Sequence, residues 1–205
     1  MSISRKKSLL ILIPLIIGGG FLTFALMLGV PPTFEEPSLE FPILEHDNII
    51  SISSYGIPNW SGPGTHHNGI DLVINTSVTI ISPAKGTVVE ITERKNEHSV
   101  IQNILFDIRI QINWGWSVKL VLEPNFLGND TINNTLQRNL IKVSFLQRVD
   151  IGTEIATLLY SGYYSHLHYM VEHFSTDVCP YTYSSNDAKS IFDSIASRVN
   201  KSICV

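Results

Sequence analysis

Two short clusters in this chain hold side chains that can do chemistry together. The first is His67-Asn-Gly-Ile-Asp71, which follows the Gly- and Pro-rich run from Asn59 to Gly64. An imidazole and a carboxylate at this spacing, with Gly69 between them to allow a tight bend, can present both donors to one point. The second is His166-Leu-His168, which opens an apolar alternation continued by Tyr169 and Val171. On a strand, residues i and i+2 share a face, so both imidazoles project together while Leu167, Tyr169 and Val171 face the other way. If the clusters meet, they offer His, Asp and His as metal ligands, with a further His beside them. Three protein ligands leave a fourth tetrahedral position for water, the arrangement of a catalytic zinc site and not of a structural one.

Strands must position these groups. Phe106, Ile108, Ile110 and Ile112 alternate with Asp107, Arg109 and Gln111, a period of two. Gly86 to Ile91, Val118 to Leu122 and Ile141 to Phe145 read as further strands, rich in β-branched residues and bounded by Gly, Pro or Asn. Loops are predicted at Asn59 to Gly64, Asn113 to Gly115 and Leu127 to Asn134. One soluble helix is predicted, and it comes last. Ser185 or Asn186 can cap it, and Ala188, Ile191, Phe192, Ile195 and Val199 form its apolar stripe. The fold class is mainly β, antiparallel, with a C-terminal helix.

The order His67-x-Gly-x-Asp71, then Ser82 to Val89, then Val149 to Ile155, then His166-Leu-His168 resembles the lysostaphin-type (LytM-like) zinc metallopeptidases, over roughly Tyr55 to Pro180. The resemblance implies a barrel-sandwich-like β domain with a long groove, and Zn²⁺ held by His67, Asp71 and His168. It implies that His166 sits beside the metal as a catalytic group. The activity it implies is endopeptidase cleavage of peptides in cell walls, often at glycine-containing bonds, so the expected partner is a peptide substrate or an envelope polymer. The family usually carries another catalytic histidine, in a Tyr-x-His-Leu-like segment between the two motifs, and that histidine is missing here. By position it falls near Thr135 to Leu140, where the chain offers Gln137, Arg138 and Asn139; Arg138 can stabilise an oxyanion but cannot act as a base. His98 reads as a solvated loop residue and His66 as pointing to solvent. His46 and His173 carry no assigned role, and Trp60, Trp114 and Trp116 are expected to pack in the core or at a rim. The competing function is a catalytically degenerate binding or adaptor protein that keeps the fold, with or without the zinc, and does not hydrolyse. A biotinyl or lipoyl carrier also shares the Gly86 to Ile91 and Val149 to Ile155 patterns, but that module needs a Met-Lys pair, and none occurs.

The remaining features place the domain. Leu9 to Val30 is an apolar stretch of 22 residues following Arg5-Lys6-Lys7. At about 1.5 Å per residue it is long enough to span a bilayer, and the basic cluster predicts an N-terminus inside. The expected organisation is a cytoplasmic tail (1–7), a transmembrane anchor (8–30), a Pro/Glu-rich stalk (31–48), the zinc peptidase domain (49–180) and a C-terminal helical segment (181–205). Localisation is then a cell membrane, single-pass, with the catalytic domain extracytoplasmic. Residues after Val30 carry 11 of the 14 Lys and Arg but all 18 Asp and Glu, a balance of −7 that argues against nucleic-acid binding. Only Cys179 and Cys204 occur, both on the predicted exterior side, where they can form a disulfide.

Overall fold

A computed structural model describes residues 29–97 and 99–205 of the chain. Ten strands follow in order: β1 (Ile49–Ser53), β2 (Ile70–Ile74), β3 (Val78–Ile81), β4 (Gly86–Lys95), β5 (Ile104–Gln111), β6 (Trp116–Glu123), β7 (Arg148–Val149), β8 (Glu154–Leu158), β9 (His166–His173) and β10 (Thr176–Val178). Helix α1 (Thr131–Asn139) lies between β6 and β7, and α2 (Asn186–Val199) follows β10. The main sheet runs β1-β2-β9-β6-β5-β4-β7, with β10 added to β9; β3 and β8 form a second, two-stranded sheet. Every pairing between these strands is antiparallel. The main sheet is an open path from β1 to β7, not a ring, so the barrel part of the expectation appears as two separate sheets.

The period-two pattern explains which face is which. Ile70 and Leu72 on β2, Leu167, Tyr169 and Val171 on β9, Val118, Leu120 and Leu122 on β6, and Phe106, Ile108 and Ile110 on β5 all enter one core. That core is closed by Ala188, Phe192 and Ile195 of α2, whose N-cap is Ser185: its side chain accepts from Ala188 N–H. Phe192 stacks on Tyr169 at 6.5 Å and meets Phe41 edge-on at 4.7 Å. Cys179 and Cys204 are bonded to each other, tying the C-terminal end to the segment after β10. The alternate residues, including Asp71, Glu123, His166 and His168, stand on the opposite face of the same strands.

Several expectations are corrected. The Pro/Glu-rich segment is not a free stalk along its whole length. Leu39, Phe41 and Ile43 are core residues, Leu39 and Ile43 bridge to Ser184 and Ile80, and Glu45 accepts from the backbone and hydroxyl of Thr79 at 2.7 and 2.9 Å. The alternation of apolar side chains at 39, 41 and 43 is that of an extended segment with one face buried, and it outweighs the prolines around it. The predicted strand Ile141 to Phe145 is reduced to one bridge, Ile141 to Ala156. Phe145 is exposed and Leu146 turns the chain at φ 67°, so no second buried position follows Val143. The expected loop at Leu127 to Asn134 runs into α1. Asp130 caps that helix, and its buried side chains are Asn134 and Gln137, so it lacks an apolar stripe to announce it. His173 ends β9 and stacks on the buried Trp116 at 4.2 Å. The predicted anchor lies, apart from its last two residues, outside the described residues, as does His98; no helix among the described residues is long and apolar enough to cross a membrane.

The packing of residues 39–43 has a direct consequence for stability. A chain beginning at residue 46 should unfold at lower urea than one beginning at residue 29, because burial of a Leu, Phe or Ile side chain contributes about 1.5–3 kcal/mol each. Equal midpoints would show that the segment is not part of the core.

Candidate metal centre

The register of three strands assembles the site. Asp71 on β2 and His168 on β9 are direct cross-strand partners, as are His166 on β9 and Glu123 on β6. His67 enters from the loop before β2, which is pinned by backbone bonds from His67 N–H to Ile57 and from Gly56 N–H to His67. Gly69 matters for space: a Cβ there would lie 2.8 Å from the His168 ring and from the Tyr169 carbonyl oxygen. The chain bends at Gly69 as the spacing predicts, and the glycine in addition admits the second histidine against the first motif.

His67 Nε2, Asp71 Oδ1 and a ring nitrogen of His168 converge, all three residues offering ligand atoms within 4.8 Å of one another. His67 Nε2 is 3.0 Å from Asp71 Oδ1 and 3.3 Å from His168 Nδ1, and His168 Nδ1 is 2.7 Å from Asp71 Oδ1. The far side of each ring is also held. His67 Nδ1 lies 2.6 Å from the Ser54 carbonyl oxygen, to which it must donate. His168 Nε2 lies 3.2 Å from Asn68 Oδ1, and the Asn68 amide also hydrogen-bonds Asp177, which requires its N–H to face that carboxylate and its oxygen to face His168. With those outer nitrogens engaged, the inner nitrogens of His67 and His168 both face the Asp71 carboxylate. Two ring nitrogens and one carboxylate oxygen facing one point, with His67 and Asp71 buried and His168 partly so, could hold a metal ion, and two imidazoles with one carboxylate are a donor set that suits Zn²⁺.

The electrostatics have the same origin. Burial by itself would raise the Asp71 carboxyl, but the hydrogen bonds from His168 and His67 hold it far below the usual carboxylate range. Burial would lower His67, and the adjoining Asp71 reverses this and raises it. Both shifts mark a pocket that favours positive charge beside Asp71. Trp60, half exposed, lies against the His67 ring at 4.2 Å and covers one side of the cluster.

His166 stands beside this set and outside it. Its Nδ1 is 2.9 Å from the Tyr164 carbonyl oxygen, so Nδ1–H donates there and Nε2 points to Asp71 Oδ1 at 3.7 Å and Glu123 Oε2 at 3.5 Å. The Tyr164 ring meets His166 edge-on at 5.1 Å, and its hydroxyl pairs with Ser53 at 2.9 Å. All four predicted site residues are thus brought together. The substitutes considered for the missing histidine are not: Arg138 pairs with Glu93 at the surface, and Gln137 is buried against the Thr157 carbonyl and Leu159 N–H. Glu123 escaped the sequence reading because a lone acid before a proline gives no local signal. A strand count outward from His166 to its partner would have found it.

No protein-family model matches the chain, and no curated protein does. Among solved structures it is similar to a zinc-containing peptidase from Vibrio cholerae, at 20% identity over 70% of this chain and 39% of that one, with a TM-score of 0.47. It is also similar to lysostaphin in solution, at 17% identity over 78% of this chain and 56% of that one, with a TM-score of 0.48. A third is the catalytic domain of the prophage-encoded protein EnpA from Enterococcus faecalis, at 15% identity over 73% of this chain and 94% of that one, with a TM-score of 0.42. The chain therefore spans 39% and 56% of the length of the first two. At such distances the chemistry rests on the cluster itself.

Outer-shell partners of metal-ligating histidines typically tune affinity about 10- to 100-fold. Asn68→Leu should weaken Zn²⁺ binding by that factor, read by competition with a chromophoric chelator, while Asn68→Asp, which keeps an acceptor, should weaken it less. Identical affinities in all three proteins would remove Asn68 from the site.

Proposed function

We propose that this chain is a zinc metalloendopeptidase that cleaves peptide bonds on the outer side of a membrane, in cell-wall or envelope peptides. The observation that carries the reading is the convergence of His67 Nε2, Asp71 Oδ1 and His168 Nδ1, each imidazole held from behind by an oxygen acceptor. His67, Asp71 and His168 would hold the ion. When bound, Zn²⁺ supplies Lewis-acid polarisation of the scissile carbonyl and acidification of water toward neutral pH.

The chain's own residues do the rest. Asp71, buried and charged, offsets part of the positive charge of the centre. Ser54 and Asn68 fix the ring orientations of His67 and His168, so that assembling the site needs no reorganisation. His166, anchored through Nδ1 by the Tyr164 carbonyl, keeps Nε2 free to hydrogen-bond a tetrahedral oxyanion or to move a proton. Asp71 and His168 sit on adjoining strands of a sheet, which hold geometry more rigidly than loops do. The apolar segment 9–30 would tether the domain, and its acidic balance and Cys179–Cys204 bond suit an external compartment.

One observation favours the degenerate adaptor instead: among the described residues, no fourth histidine joins His67, His166 and His168 at the cluster. The two readings part in a single experiment on the full chain in detergent. Elemental analysis should find about one zinc per chain, and His168→Ala should lose most of it. Glycine-rich or wall-derived peptides should be cut by the wild type, and about 10²- to 10⁴-fold more slowly by His166→Ala with its zinc retained. Absence of zinc after zinc-supplemented purification defeats the enzyme and the metal-retaining form of the adaptor. Tight peptide binding without cleavage leaves the adaptor.

A further inference from the structure

The place beside His166 that holds no second histidine holds a carboxylate. Glu123 ends β6 directly opposite His166, on the face of the sheet that carries the cluster. Its side chain is 13% exposed, and Oε2 approaches His166 Nε2 at 3.5 Å. Among the described residues no other hydrogen bond or ion pair engages that carboxylate. Asp71 is in the opposite position, committed to His67 and His168. Glu123 is also separate from the ligand set, since the atoms that close within 4.8 Å belong to His67, Asp71 and His168 alone. A carboxylate that is largely buried, unspent on structure and adjacent to the reacting centre without ligating it has the chemistry of a proton carrier. The orientation of His166 agrees: with Nδ1 held at the Tyr164 carbonyl, Nε2 is the nitrogen that faces Glu123 Oε2, at 3.5 Å.

Resting on the peptidase reading above, we propose that Glu123 is a catalytic proton carrier of this site and replaces a second histidine. As the oxygen of the attacking water bonds to the scissile carbonyl carbon, the Glu123 carboxylate accepts one of its protons. As the C–N bond breaks, Glu123 returns that proton to the departing nitrogen, which leaves as the amine. The other water proton remains with the product acid, and no oxidant or reductant takes part. His166 stays in place to hydrogen-bond the oxyanion.

The test uses the full chain in detergent, loaded with zinc, as wild type, Glu123→Gln and Glu123→His. Acetohydroxamic acid is a turnover-independent probe, because it gives up one proton as it binds a metal centre. Calorimetry in buffers of different ionisation enthalpy counts the protons that reach the solvent. Glu123→Gln should release about one more proton per chain than the wild type while keeping its zinc. On a glycine-rich peptide its kcat should fall about 10²- to 10⁴-fold with KM within about threefold, and Glu123→His should recover much of the loss. Equal proton counts, or an undiminished kcat, overturn the proposal. Loss of zinc from Glu123→Gln overturns it too, by making Glu123 a ligand. If the wild type binds zinc and the probe yet cuts no peptide, the peptidase reading fails, and the proton count alone decides for or against Glu123.

Discussion

The antiparallel pairing of β2 with β9 is the constraint on which the rest of the molecule depends. It sets Asp71 directly opposite His168, and it sets Leu72 opposite Leu167 on the other face. Because side chains alternate with a period of two, one residue of slip would carry the imidazoles into the apolar core and Leu167 and Tyr169 out of it. The hydrophobic effect thus enforces the geometry of the polar site. Every buried residue in Leu167, Tyr169 and Val171 stabilises the register that holds His166 and His168 in place. Fold stability and site assembly are two faces of one strand pairing.

The polar face of the sheet extends well beyond the cluster. Past His166 and His168 on β9 comes Met170, packed with Val121 and Leu105 in a small apolar patch. Beyond it lies a ladder in which Lys119 and Arg94 meet the buried Asp107, and Arg109 bridges Glu90 and Glu172. Three cations and three anions interleave across β4, β5, β6 and β9. A buried carboxylate such as Asp107 is tolerated because charge-assisted partners offset its desolvation. A face that would otherwise be a weakly specified polar surface is held in one arrangement.

The ring orientations at the candidate metal cluster are controlled by residues outside it. Ser54 and Asn68 decide which nitrogen of each ring can ligate, and Tyr164 decides it for His166. These three acceptors come from three different places: the residue after β1, the first motif itself and the turn before β9. Asn68 is in turn oriented by Asp177 on β10, the strand that pairs with the far half of β9. A short edge strand without ligands of its own therefore reaches the centre through one amide.

Much of this was legible in the polymer. His67, Asp71, His166 and His168 could be chosen from spacing alone, and the alternation from Phe106 to Ile112 marked a strand that the fold contains as β5. The α2 helix was readable from its cap and stripe, because both are local signals. Signals that depend on distant partners were not readable. Helix α1 buries Asn134 and Gln137 instead of an apolar stripe, and Leu39 to Ile43 joins the core only because α2 and β3 are there to receive it. Gly69 announced flexibility in the sequence and turned out to supply room for a ring roughly a hundred positions away. Glu123 is the clearest case. Nothing in Leu122-Glu123-Pro124 suggests chemistry, and only the cross-strand register places that carboxylate against His166. Residue types and periodicity are properties of short windows, so sequence determined which side chains share a face. Which faces meet, and which acid stands beside which imidazole, is set by long-range pairing and was decided only when the chain folded.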